Sequence, residues 1–146
     1  MHEFEDSKIM PYTAKELYDL VLDVEKYDAF VPWCSKCNIV DKSEGLITAD
    51  LYVKSGFISQ SYRSNITHGF KDNAYFINIA QLSGPFKYLD TKWSFKEIDK
   101  TQTQVRFTID FEFESEIINK LIGGIFSSSS AKIMKAFEKR AKEIYG

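Results

Sequence analysis

Val105-Arg-Phe-Thr-Ile-Asp-Phe-Glu-Phe113, leading almost directly into an amphipathic segment from Ile117 to Tyr145, decides how this chain folds. Val105, Phe107, Ile109, Phe111 and Phe113 fall on one side of the first stretch; Arg106, Thr108, Asp110 and Glu112 fall on the other. A period of two marks a strand of an antiparallel sheet with one apolar and one wet face. In the second stretch Ile118, Ile122, Phe126, Ile133, Phe137, Ala141 and Ile144 recur at steps of three and four, with wider gaps at Phe126–Ile133. That spacing predicts a helix laid over the sheet. No cluster of catalytic polar residues accompanies these surfaces, which points to holding something apolar rather than transforming it.

Working outward, the preceding text is strands and turns. Strands are predicted over Asn38–Lys42, Leu46–Lys54, Phe57–Thr67, Ala74–Gln81, Lys87–Glu97 and Thr103–Glu114, with Gly69 and Lys71-Asp72-Asn73 placed in a loop. Short connections between consecutive strands favour a meander. Ahead of them stand a strand over Phe4–Met10 and a helix opened by Thr13-Ala14-Lys15-Glu16, which has capping-box spacing. A helical turn from Val24 to Phe30 stops at Pro32. Gly123-Gly124 and Ser127 to Ser130 weaken the closing helix. Two readings of the glycines stand: close packing on the sheet, or a hinge over a cavity. A restart capped by Ser130 is expected. Strand, two short helices, six strands and a long helix predict an α+β helix-grip fold, a curved antiparallel sheet wrapped around its last helix.

The 146 residues suit one domain, 1–146, with a real core. Aromatics make up 15%, with twelve Phe, eight Tyr and two Trp, enough flat surface to wall a pocket as well as fill a core. A net charge of −2 makes the whole chain no magnet for nucleic acid or anionic lipid. Met1-His2-Glu3-Phe4-Glu5-Asp6 has neither basic flank nor apolar run, and Ile117–Phe126 is too short to span a bilayer. A cytoplasmic protein, peripheral at most to the inner membrane, is expected, with its two cysteines reduced.

Several short motifs carry little chemistry. Cys34-Ser-Lys-Cys37 lacks the second pair that a zinc site needs, and does not stand between a strand and a helix as a redox motif would. Ser129-Ser-Ala-Lys132 has the letters of a penicillin-binding nucleophile without its companion motifs. Asn65-Ile-Thr67 is a sequon without a secretory route, and His68 near Asp72 has no nucleophile beside it. Asp110, Glu112, Glu114 and Glu116 face away from the predicted core. No catalytic residue and no metal ligand is therefore assigned. Lys132, Lys135, Lys139 and Lys142, with Arg140 beside them, form a basic stripe. It reads either as a solvated helix face or as a surface docking to lipid headgroups or ribosomal RNA.

Leu20-Val-Leu-Asp-Val-Glu-Lys-Tyr27 leading to Phe30-Val-Pro-Trp-Cys34, Ser83-Gly-Pro-Phe86, Trp93-Ser-Phe95, Phe111-Glu-Phe113, and Ala136-Phe-Glu-Lys-Arg-Ala141 with Ile144-Tyr145 occur in this order. Together they resemble the coenzyme Q-binding proteins of the polyketide cyclase-like START superfamily, whose bacterial members are also called ribosome-association toxins. The resemblance spans essentially the whole chain. It implies a START-like helix-grip fold and a non-enzymatic role, binding ubiquinone or a related polyprenyl lipid in an apolar tunnel in support of respiration. The second label implies binding the large ribosomal subunit and blocking subunit joining. Ubiquinone would be a ligand, not a cofactor.

The residues agree with the lipid reading. A quinone ring suits aromatic walls and one or two donors, and an isoprenoid tail suits a dry channel. Trp33, Phe86, Trp93, Phe107, Phe111, Phe126 and Phe137 are the candidate walls, joined by Ile122 from the helix; ordinary core is the alternative for each. Tyr62 and Tyr88 are the candidate donors to a ring carbonyl. Phe57-Ile58 is either an apolar lip at a membrane or the start of a buried strand. Expected partners are the polyprenyl quinone, a transient membrane surface and, on the second reading, the large ribosomal subunit.

Overall fold

The decisive strand, β7 (Gln102–Phe113), is held from both sides. It pairs antiparallel with β6 (Phe86–Asp99) and with the first strand of the chain, β1 (His2–Met10). The others are β2 (Cys34–Ser43), β3 (Leu46–Ser55), β4 (Ile58–Lys71) and β5 (Ala74–Ser83), and the seven form one sheet in the order β1-β7-β6-β5-β4-β3-β2. The structure, a computed structural model, describes residues 2–55, 58–129 and 131–146, without the side chains of 55 and 124–129. The meander is as expected, and β1 closes onto its last strand.

Several strands run longer than their patterns suggest. Gly69, placed in a loop by its weak strand preference, pairs with Phe76 inside β4. The turn falls at Asp72 and Asn73, whose φ of 53° and 66° suit a two-residue hairpin turn of the I′ kind. That tight turn keeps both arms in register up to Lys71–Ala74.

Helix α1 (Ala14–Leu22) begins with the predicted capping box. Glu16 N donates to Thr13 Oγ1 at 3.2 Å, and Thr13 N donates to Glu16 Oε1 at 3.1 Å. It buries Leu17, Leu20 and Val21 as read, with Tyr18 added. A 3-10 helix over Val24–Ala29 follows.

The chain ends in α2 (Glu116–Ser129) and α3 (Ala131–Tyr145). α2 continues through Gly123-Gly124, so the glycines do not break it. At Gly123 an added Cβ would meet His2 at 3.7 Å, ordinary contact distance, so close packing does not require glycine either. The expected cap, Ser130, lies outside the described residues. The α3 stripe also differs from expectation. Ile144 is 50% exposed, while Met134, beside Ile133 in the first turn and outside the expected stripe, is buried. Tyr145 Oη donates to the Glu16 carbonyl at 3.0 Å, turning the last turn toward α1 and Ile144 toward water.

Candidate functional site

Between the sheet and the two final helices lies a cavity of about 160 Å³. Its floor is the inward row of the sheet: Leu51 and Val53 from β3, Tyr62 from β4, Ile79 from β5, then Leu89, Thr91 and Trp93 from β6. β7 adds Phe107, Ile109, Phe111 and Phe113. Ile122 of α2 with Ile133 and Phe137 of α3 form the roof, and Tyr27 with Val31 to Cys34 closes one side. Of the expected wall residues, Trp33, Phe86, Trp93, Phe107, Phe111, Ile122 and Phe137 line this space, as does Tyr62. Phe126 lies outside the described side chains. Phe57 is likewise outside the described residues, and Ile58 is buried as a strand start.

Tyr88 is a correction. Strict alternation from Phe86 would turn it inward. Instead the β6–β7 register shifts between Phe86 and Tyr88, a bulge that changes the parity of the strand. Phe86 and Leu89 both point inward, and Tyr88 faces outward opposite Glu112. The Gln81 side chain braces the bulge. Its Nε2 donates to the Phe86 carbonyl and its Oε1 accepts from Phe86 N, both at 2.9 Å. Gly84 in the adjoining loop has φ +150°, and an added Cβ would lie 2.6 Å from Tyr62 Cβ. The loop therefore presses directly on Tyr62.

Trp33 is held in a costly conformation. Cys34 N donates to the Val31 carbonyl at 3.3 Å, closing a four-residue turn with Pro32 second and Trp33 third. Trp33 has φ 70°, a left-handed value that glycine supplies in such turns and bulky residues resist. Its carbonyl accepts from Lys54 N at 2.8 Å, tying the turn to β3. Backbone strain of this kind persists where a side chain is needed at one place; here the indole forms a cavity wall.

The lining is nearly free of ionisable chemistry. Burial pushes the Tyr62 phenol well above its usual range, so it stays a neutral donor. Tyr62 Oη has no hydrogen-bond partner among the described residues. Tyr27, by contrast, donates its hydroxyl to the Val21 carbonyl. Burial also pushes the Cys34 and Cys37 thiols up to about 11 and about 12. Both cysteines are free, and thiols so protonated are poor nucleophiles and poor ligands. Among the described residues no group of three His, Cys, Asp or Glu is placed to hold a metal.

The remaining candidates lie elsewhere. A 2.5 Å hydrogen bond joins His68 Nδ1 to Tyr18 Oη, away from the cavity lining. Lys132, Lys135, Lys139 and Lys142 are exposed, and none is ion-paired among the described residues. Arg140 leaves their stripe, its guanidinium lying 5.2 Å from the centre of the Phe30 ring. Asn119 was not singled out by its sequence, yet it positions α2. Its Nδ2 donates to the Phe113 carbonyl and its Oδ1 accepts from Phe113 N, both at 2.8 Å. The side-chain amide thereby extends the ladder past the end of β7.

The family model described as polyketide cyclase / dehydrase and lipid transport matches residues 10–138. The chain belongs to this family. Within it, a protein of Rickettsia prowazekii named ribosome association toxin RatA is 38% identical over 99% of both chains. A mitochondrial coenzyme Q-binding protein of Xenopus laevis is 29% identical over 99% of this chain and 59% of its own length. In fold, the Zhui aromatase/cyclase from Streptomyces superposes with a TM-score of 0.83 at 16% identity, covering 99% of this chain and 96% of that one. A START superfamily protein from Mycobacterium smegmatis gives 0.81 at 16%, with 99% of each chain covered. The START-like helix-grip architecture is thus the fold of this chain. No helix among the described residues is long and apolar enough to cross a membrane.

For this member of the polyketide cyclase and lipid transport family, part of the lining was not foreseen. Val31 and Cys34 reach the cavity through the Trp33 turn, and Leu89 through the bulge. Thr91 was legible: it stands two residues before Trp93 and so shares its face in an alternating strand.

Proposed function

We propose that the chain binds ubiquinone or a related polyprenyl lipid between its sheet and its last helices, without catalysing a reaction, in support of respiratory electron transport. The observation that carries this is a cavity walled by aromatic rings with donor hydroxyls and, among the described residues, no carboxylate, imidazole or amine in its lining. Its volume of about 160 Å³ matches one ring: an apolar cavity of ~150 Å³ accepts benzene. Each methylene buried beyond the ring contributes about 0.8 kcal/mol, so a tail needs no polar anchor. It does need α2 or α3 to shift, since whole-ligand pockets run to roughly 300–1,000 Å³. The relative named for coenzyme Q binding supports the choice of ligand. The test is organic extraction of the purified protein and mass spectrometry. A stoichiometric polyprenyl quinone is expected; no quinone, with no uptake of added quinone, would refute the reading.

The cyclase chemistry named for a fold neighbour finds no support in the lining. Its ionisable groups, Tyr27, Tyr62 and Cys34, all have pKa values raised by burial and exchange no protons near neutral pH.

A second reading is association with the large ribosomal subunit. The relative named for it is 38% identical across 99% of both chains, and the four exposed lysines of α3 offer a phosphate-binding edge. This reading predicts sedimentation with the large subunit that weakens in salt and in a variant with all four lysines changed to glutamate. Sedimentation unchanged by those substitutions would remove α3 as the contact.

A further inference from the structure

Three polar side chains are buried in the described core: Ser64, Thr91 and Thr103. Ser64 Oγ donates to the Ala49 carbonyl at 3.1 Å, and Thr103 Oγ1 donates to the Tyr12 carbonyl at 2.7 Å. Thr91, only 7% exposed, has no hydrogen-bond partner among the described residues, and it alone of the three lines the cavity. Thr91 Oγ1 is not among the fully enclosed unpartnered atoms, so it opens onto the cavity, where an apolar lining gives it no acceptor, and valine would fill the same strand position with the same shape. The hydroxyl therefore asks for an acceptor from outside the chain.

The site has a closed end, and Thr91 stands near it. Thr91 pairs with Ile79 and Ile109, while two pleats further along β6, past Trp93, Phe95 pairs with Val105. Phe95 and Val105 are each 1% exposed and lie outside the lining, so solid core begins there. In the other direction the cavity extends toward Tyr62 and Ile122. Ile79 also pairs with Ile66, which puts Thr91 level with a residue four places along β4 from Tyr62. At about 3.3 Å per residue the two side chains stand roughly 13 Å apart along the strands, too far to share one carbonyl.

We infer that Thr91 Oγ1 donates to a carbonyl oxygen on the ring of the bound lipid, which enters ring first with its chain trailing toward Tyr62 and Ile122. This rests on the ligand-binding reading above and adds the orientation and the specificity: a carbonyl-bearing ring is preferred over a hydrocarbon of the same shape. The test compares wild type, Thr91→Val and Thr91→Ser for binding of a short-chain alkyl-1,4-benzoquinone and of the matching alkylbenzene. Thermal melts confirm that each variant folds. Thr91→Val is expected to lose about tenfold in quinone affinity while holding alkylbenzene within about twofold, and Thr91→Ser to restore quinone binding. Quinone binding by Thr91→Val equal to wild type, or an equal loss for both probes, would overturn the donor role and leave the ligand-binding reading standing. Failure of wild type to bind either probe would overturn that reading, and this inference with it.

Discussion

The Phe137 ring of α3 meets the Trp93 indole of β6 edge-on, with centroids 4.9 Å apart and planes at 69°. Phe137 also touches Tyr27 at 5.4 Å and Phe30 at 5.2 Å, both edge-on. One side chain thus keys the roof of the cavity to its floor and to the 3-10 helix. Phe137→Ala is expected to destabilise the fold by about 3–5 kcal/mol, read from urea denaturation. A loss under about 1 kcal/mol would mean that α3 is not anchored by this ring.

Asn119 makes a narrower prediction. Asn119→Leu keeps the size of the side chain but leaves Phe113 N and O without partners, which costs about 1–3 kcal/mol when such groups are buried. Amide exchange at Phe113 should accelerate as well. Unchanged protection at Phe113 would show that the amide bracket does not hold α2 to β7.

The glycines predict opposite signs. Gly84→Ala forces a Cβ within 2.6 Å of Tyr62 at a left-handed φ, so it should lower the melting temperature. Gly123→Ala has ordinary room inside α2 and should raise stability by about 0.5–1 kcal/mol. If Gly123→Ala also slows quinone uptake, α2 bends there during entry; unchanged uptake removes Gly123 as a hinge.

His68 supplies a pH dependence. Burial first, and Lys42 second, hold its imidazole below the ordinary value. The unfolded chain then binds more protons than the folded one between the folded pKa and about 6.5. Its contribution to stability is complete above about pH 6.5 and is lost as pH falls toward the folded pKa. His2 is shifted in the same direction, so His68→Gln should flatten the acid slope in part. A slope of denaturation midpoint against pH identical to wild type would contradict this.

Much of this fold is legible because local pattern and tertiary demand agree. The alternation of Val105 to Phe113 and the Thr13–Glu16 box each state what the structure does. The misses lie where one residue depends on distant backbone. Tyr88 turns outward because of a bulge braced by Gln81, and no alternation pattern reports a bulge. Ile144 turns to water where Tyr145 docks on α1. Trp33 in a left-handed turn runs against local preference, and its place in the wall could be guessed only from its ring.

Both tryptophans of the chain, Trp33 and Trp93, line the cavity, so their fluorescence reports directly on what enters it. Titration of the wild-type protein with a short-tailed ubiquinone should quench that emission saturably, at one ligand per chain, and raise the melting temperature in step. Quenching that rises linearly without saturation, with an unchanged melting temperature, would contradict a quinone-binding cavity.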